Sequence, residues 1–259
     1  DASFPYRLHL RVEQTGNGTL IVNASTVLHL NQTATEYAYH LIKLTPDDEL
    51  IRTMAKRYQV HKDQARQDHQ DLIEKLLALV STPDLDPVTF LGFERTEPYS
   101  GEITAPYRLD CALTYQLPAG EDKTAAPVER AMTELSTDEW KIVMENAWQA
   151  GIPHLIFTGG EPTLRADLVE LIEHAEHLGQ VTGLLTDGHK LGDSEYLQAL
   201  LQSGLDHLMI VLDPDKDTLW ETLDKVLHED IHTTVHLTLT GQNADQFSEH
   251  LSRLTGLDL

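Results

Sequence analysis

The residues with the clearest chemical promise lie in His154–Arg165, HLIFTGGEPTLR. A short apolar run, Leu155 to Phe157, reads as a buried strand. Gly159 and Gly160 follow it, then Glu161, Pro162 and a helical pattern running to about His177. Two glycines at a strand's C-terminal end let backbone approach a ligand closely, because no Cβ intervenes. A helix N-terminus beyond them would add free N–H groups and partial positive charge. Strand, Gly-Gly, carboxylate, proline, helix is thus a possible ligand seat, and equally the punctuation of an ordinary βα turn. Further polar residues fall at the C-terminal ends of later predicted strands: Thr186-Asp187-Gly188, Asp213 and Thr240-Gly241. Ligands of repeated βα folds collect at those ends.

Other chemistries find less support. Cys111 is the sole cysteine, so neither a disulfide framework nor a cysteine-built metal site can form within the chain. Among 14 histidines, His232 and His236 share one side of a predicted strand, with His228 just before them. No third partner stands at a ligand spacing, so these read as solvated or core histidines and no metal site is assigned. His174 and His177 read as surface residues, whereas His189, two residues past Asp187, is better placed for substrate contact. Ser136 and Ser203 lack a nucleophile elbow.

FTGGEPTLR resembles the Gly-Gly-Glu-Pro segment after the second barrel strand of radical S-adenosylmethionine enzymes. The likeness extends from PYRLDCALTYQ (Pro106–Gln116) through LLTDG (Leu184–Gly188) and HLMIVLDPD (His207–Asp215) to HLTLTGQNADQF (His236–Phe247). It implies that Gly159, Gly160, Glu161 and Pro162 hold the amino group of S-adenosylmethionine; Thr186, Asp187 and Asp213, by their place at neighbouring strand ends, are expected to complete the cofactor site. One departure is large. Relatives carry C-x3-C-x2-C after a strand like LDCALTYQ, and three thiolates there hold a [4Fe–4S] cluster. Here Gln116 runs into Leu117-Pro118-Ala119-Gly120-Glu121, and Cys111 lies too early, within the strand. One thiolate cannot hold a cubane. Either the protein is a degenerate homologue that keeps the scaffold, or a segment of the natural chain is missing at the Gln116/Leu117 junction; a cluster is expected only in the second case.

The elements that must position these residues alternate regularly. Strands are predicted at Arg108–Tyr115, Leu155–Phe157, Val181–Leu185, His207–Leu212 and Thr233–Leu239. Helices are predicted at Thr137–Ala150, Ala166–Leu178, Ser194–Gln202, Thr218–His228 and Ala244–Leu254. Such βα units imply an α/β fold with a parallel sheet. With the resemblance, the expectation for 106–259 is a partial (β/α) TIM barrel of about five units.

Residues 1–82 read as a separate small α+β unit. Strands at Tyr6–Gln14, Thr19–Val22 and Thr26–Leu30 are joined by the turn residues Thr15-Gly16-Asn17-Gly18 and Asn23-Ala24-Ser25. A helix capped by Thr33 with Glu36 in capping-box spacing follows. A second opens at Thr45-Pro46-Asp47-Asp48, and a third spans Gln64–Val80. Three strands and three helices ahead of such a barrel resemble the winged-helix-like, PqqD-like leader-peptide recognition element. That resemblance implies a precursor peptide added as a strand beside Thr26–Leu30, with the third helix as wall; a purely structural cap is the alternative. Residues 83–105, with Pro83, Pro87 and Pro98, are expected to form a stiff linker in which Val88–Leu91 and Phe93 dock on one of the domains.

A net charge of −23 with no basic stripe disfavours nucleic acid and fits a solvated acidic surface or basic-peptide partners. No membrane-length apolar run or signal peptide is visible, which favours the cytoplasm. Two functions stay open. One is a radical enzyme acting on a ribosomally made peptide captured by residues 1–82. The other is a cluster-free homologue that binds or chaperones such a peptide without catalysis. The peptide, the bond altered and the oligomeric state are not legible.

Overall fold

The computed structural model describes residues 7–24, 26–82, 85–86, 91–92, 104–119, 133–239, 241 and 243–257. The predicted docking residues Val88–Phe90 and Phe93, Thr240, and residues 120–132 of the loop after Gln116 lie outside them. The chain divides into two compact units, Asp1–Thr104 and Ala105–Leu259.

In the first unit, β1 (Leu8–Val12), β2 (Gly18–Val22) and β3 (Thr26–Leu30) form an antiparallel sheet in that order. The β1–β2 turn closes as its residues predict: Gly16 takes φ +85°, and its N–H donates to Glu13 O at 2.9 Å. Alternation puts Leu8, Leu10, Leu20, Val22, Leu28 and Leu30 on one face. That face packs on α1 (Gln32–Ile42), α2 (Asp47–Tyr58) and α3 (Lys62–Ser81), through Tyr37, Leu50, Met54, Leu72 and Leu76. The cap of α1 corrects the sequence reading. Asn31, not Thr33, is the N-cap, its Oδ1 accepting from Ala34 N–H at 2.9 Å. Thr33 is inside the helix, and Glu36 instead accepts from Arg57 and Tyr58 of α2, both at 2.9 Å. Likewise Pro46 is the N-cap of α2 rather than its first helical residue.

The second unit holds β4 (Arg108–Thr114), β5 (His154–Gly159), β6 (Val181–Thr186), β7 (His207–Leu212) and β8 (His232–Leu237). They form a parallel sheet in strict sequential order. Helices α4 (Thr137–Gln149), α5 (Leu168–Leu178), α6 (Ser194–Gln202), α7 (Asp217–Leu227) and α8 (Phe247–Thr255) follow the strands in turn. Sequential order means every crossover returns the same way, so right-handed connections bring the helices to one face. Cys111, Leu113, Leu155, Phe157, Leu184, Leu208, Ile210 and Leu212 share a core with Met144, Leu171, Ile172, Leu197, Leu200 and Leu223 from those helices. The register sets the opposite face at Arg108, Asp110, Ile156, Thr158, Leu185, Met209, Thr234 and His236. Helix α4 carries a complete capping box, with Ser136 and Glu139 satisfying each other's backbone N–H. Among the described residues no helix is long and apolar enough to cross a membrane.

Candidate functional site

The site is built at the C-terminal ends of β4, β5, β6 and β7. β4 and β5 run parallel until a register shift between Ala112 and Thr114 brings Thr114 opposite Gly159. The β5 backbone then crosses the end of β4, with Gly160 N–H donating to Thr114 O at 2.7 Å and Glu161 N–H to Gln116 O at 2.8 Å. This crossing explains both glycines. A Cβ on Gly159, whose φ is +127°, would lie 2.3 Å from Thr114 O, and one on Gly160 would lie 2.1 Å from Gln116 O. The close approach these glycines permit within the protein is therefore to the neighbouring strand.

Glu161 is the centre of the arrangement. Its side chain turns inward, and the residue is 3% exposed. Thr163 donates to Oε1 through its backbone N–H (2.9 Å) and its hydroxyl (2.6 Å). Thr186 Oγ1 donates to the same oxygen at 2.8 Å, while Asp187 N–H donates to Oε2 at 2.7 Å. One carboxylate thus ties the loop after β5 to the end of β6. Burial, helped by the nearby Asp187 carboxylate, pushes the Glu161 carboxyl above its usual range, against the pull of these donors.

The remaining predicted residues join through the next loops. Asp187 Oδ1 accepts from His189 N–H at 2.9 Å. The Lys216 ammonium donates to His189 Nε2 and lies beside Asp213 Oδ2, each at 3.3 Å. Gly159, Gly160, Glu161, Pro162, Thr186, Asp187, His189 and Asp213 therefore fall in one row of strand-end loops. The helix after the glycines begins two residues later than the expected Ala166. Pro162–Leu164 forms a single 3₁₀ turn and α5 begins only at Leu168, because Arg165 and Asp167 are drawn elsewhere.

That elsewhere is a brace which sequence reasoning missed. Arg165 pairs one guanidinium edge bidentately with Asp167 (Nε–Oδ1 2.9 Å, Nη2–Oδ2 2.7 Å), and its Nη1 donates to Leu113 O and Leu135 O at 3.0 and 3.2 Å. Arg165 holds the Asp167 carboxyl below its usual range, aided by the Thr137 hydroxyl at 2.6 Å. Glu134 Oε1 accepts from Thr114 Oγ1 and Tyr115 N–H, both at 2.8 Å. Glu134 and Arg165 lie 31 positions apart with no local pattern joining them; only Arg165, directly after the motif, could have been marked. The histidines keep their modest roles. His154, His207 and His232 begin their strands, at the end opposite the glycines. His174 is half-buried beside Glu145 at 3.3 Å instead of fully at the surface. Among the described residues no group of three or more His, Cys, Asp or Glu could hold a metal ion.

A family model described as the radical SAM superfamily matches residues 111–254. The chain belongs to the radical SAM superfamily. It is 37% identical over 126 residues to a PqqA peptide cyclase of Rhodopseudomonas palustris, spanning 46% of this chain and 33% of that protein. It is 41% identical over 100 residues to a PqqA peptide cyclase of Bradyrhizobium diazoefficiens, 38% of this chain and 26% of the relative. The matches thus span about a quarter to a third of the curated relatives. Among solved structures, Streptococcus suis SuiB bound to precursor peptide SuiA superposes with TM-score 0.63 at 13% identity, over 98% of this chain and 60% of SuiB. SuiB bound to S-adenosylmethionine superposes with TM-score 0.60 at 14% identity, over 98% of this chain and 60% of SuiB. The α/β fold with its five-stranded parallel sheet is the family's.

Proposed function

We propose that this radical SAM superfamily protein acts on a ribosomally made precursor peptide, captured by a PqqD-like domain at residues 1–82 and presented to a partial (β/α) barrel at 106–259. The observation that carries this is the pairing, in one chain, of the β1–β3 unit with a radical SAM sheet, superposing over 98% of its length on SuiB. SuiB is described with a precursor peptide, and the sequence relatives are named as peptide cyclases. β3 is an outer strand of its sheet, so a peptide could extend it by backbone hydrogen bonds. In this reading S-adenosylmethionine is bound at Gly159, Gly160, Glu161, Pro162, Thr186, Asp187 and Asp213, in a cytoplasmic protein. The residues suit it in one respect: the Glu161 carboxylate, accepting from Thr163, Thr186 and Asp187, would hold the strand-end loops around the nucleotide rather than bind its amino group itself.

The cluster is a separate matter. The strand and motif fit the family, but the donor set after β4 does not fit [4Fe–4S], and no step is derived through it. That misfit favours the second reading, a cluster-free homologue that binds the peptide without catalysis. Hydrogen exchange of the full protein, with and without the small precursor peptide encoded beside it, tests capture. Slowed exchange in Thr26–Leu30 and Lys62–Ser81 is expected; protection confined to the second unit, or none, refutes it. Calorimetric titration with S-adenosylmethionine tests the nucleotide site independently.

A further inference from the structure

We infer that the site after β4 holds no iron–sulfur cluster in this chain, and that the described ends of the β4–α4 connection are tied by a carboxylate–guanidinium brace where relatives use thiolates. The inference concerns the reaction class and stands whether or not the peptide reading holds. Residues 115–136 contain neither cysteine nor histidine, so no thiolate or imidazole ligand for iron follows the strand. Cys111 cannot substitute. It sits inside β4, 2% exposed, sharing the helix-side core with Leu113 and Leu155. Burial, with Asp110 adding to it, pushes its thiol up to about 12, so the thiolate needed for iron is not formed at neutral pH.

The polar groups at the end of β4 are also already used. Tyr115 N–H and Thr114 Oγ1 go to Glu134, Thr114 O and Gln116 O accept from Gly160 and Glu161, and Leu113 O accepts from Arg165. Glu134 Oε2 lies 3.9 Å from Arg165 Nη1, linking the two halves of the brace. Ends tied this way need no metal to hold them. A site so built offers no ligand set for a cluster that would reduce the sulfonium of S-adenosylmethionine.

The test is anaerobic reconstitution of the full encoded protein with ferrous iron and sulfide, followed by desalting and assay of labile sulfide. Less than about one sulfide per chain, unchanged in Cys111→Ala, is expected; more than that overturns the inference. A second arm uses thermal melting with and without a strong iron chelator. The midpoint should stay within about 1 °C, while Glu134→Ala should lower it in both conditions. A chelator-induced drop, or a Glu134→Ala protein melting like the parent, overturns the brace. Because neither arm uses peptide, failure of peptide capture is seen separately.

Discussion

Replacing Glu161 by alanine tests whether one buried carboxylate organises the strand-end loops. The substitution removes the acceptor for four donors. The two hydroxyls can rotate, and Thr186 Oγ1 already accepts from Gly188 N–H at 3.1 Å, so the uncompensated loss falls on two backbone N–H groups. Thr163 is 1% exposed, so its N–H goes unsatisfied at about 1–3 kcal/mol. Asp187 N–H is partly buried and can recruit water, which holds its cost near 1 kcal/mol. Release of a desolvated carboxylate offsets part of this, leaving a net loss of about 2–3 kcal/mol. Glu161→Gln keeps shape and one acceptor but turns an NH2 toward a donor, for about 1–2 kcal/mol. All three tryptophans, Trp140, Trp148 and Trp220, lie in the second unit, so urea unfolding followed by tryptophan fluorescence reads that unit alone. A Glu161→Ala protein within about 0.5 kcal/mol of the parent would refute the reasoning and leave Glu161 as a ligand group only.

Gly159→Ala and Gly160→Ala should each cost more than about 2 kcal/mol in the same assay, since the new Cβ meets backbone. Gly241→Ala, where nothing lies within 4 Å, should be neutral, and equal effects at all three positions would contradict the close-crossing account. Arg165→Lys should lose the bidentate pairing with Asp167 and destabilise by about 1–3 kcal/mol; fluorescence-monitored unfolding unchanged from the parent would argue against the brace. In the first unit, His69 is buried against Tyr37, rings 5.9 Å apart, and burial holds its pKa below the ordinary 6.5, with Asp47 opposing and His40 reinforcing. The unfolded chain then binds more protons, so this contribution is complete above pH 6.5 and is lost as pH falls through the depressed folded value. Exchange protection of α3, corrected for the intrinsic pH dependence of amide exchange, should fall on acidification in the parent and far less in His69→Phe; matching acid profiles would show that His69 is not the cause.

Much of the architecture was legible because local periodicity carries it. Thr26–Leu30, Ser194–Gln202 and His207–Leu212 run where their apolar spacing puts them. Errors fell where several polar residues competed for one backbone group. Asn31 and Thr33 could each have capped α1, and the choice went to the residue just before the first helical turn. The helix expected from Ala166 starts at Leu168: Arg165, with carbonyl partners on two other segments, is held in extended backbone, and Asp167 is the N-cap.

The sequence by itself determined the βα order, the Gly-Gly-Glu-Pro segment at a strand end and the lack of thiolates beyond β4. Each follows from residue identity and short-range spacing. The tertiary structure alone decided that Glu161 is spent on Thr163, Thr186 and Asp187, that the glycines accommodate the backbone of β4, and that Glu134 and Arg165 brace the loop. Those pairings depend on the register between parallel strands separated by whole helices, and a donor is matched to an acceptor there by geometry that no local pattern encodes.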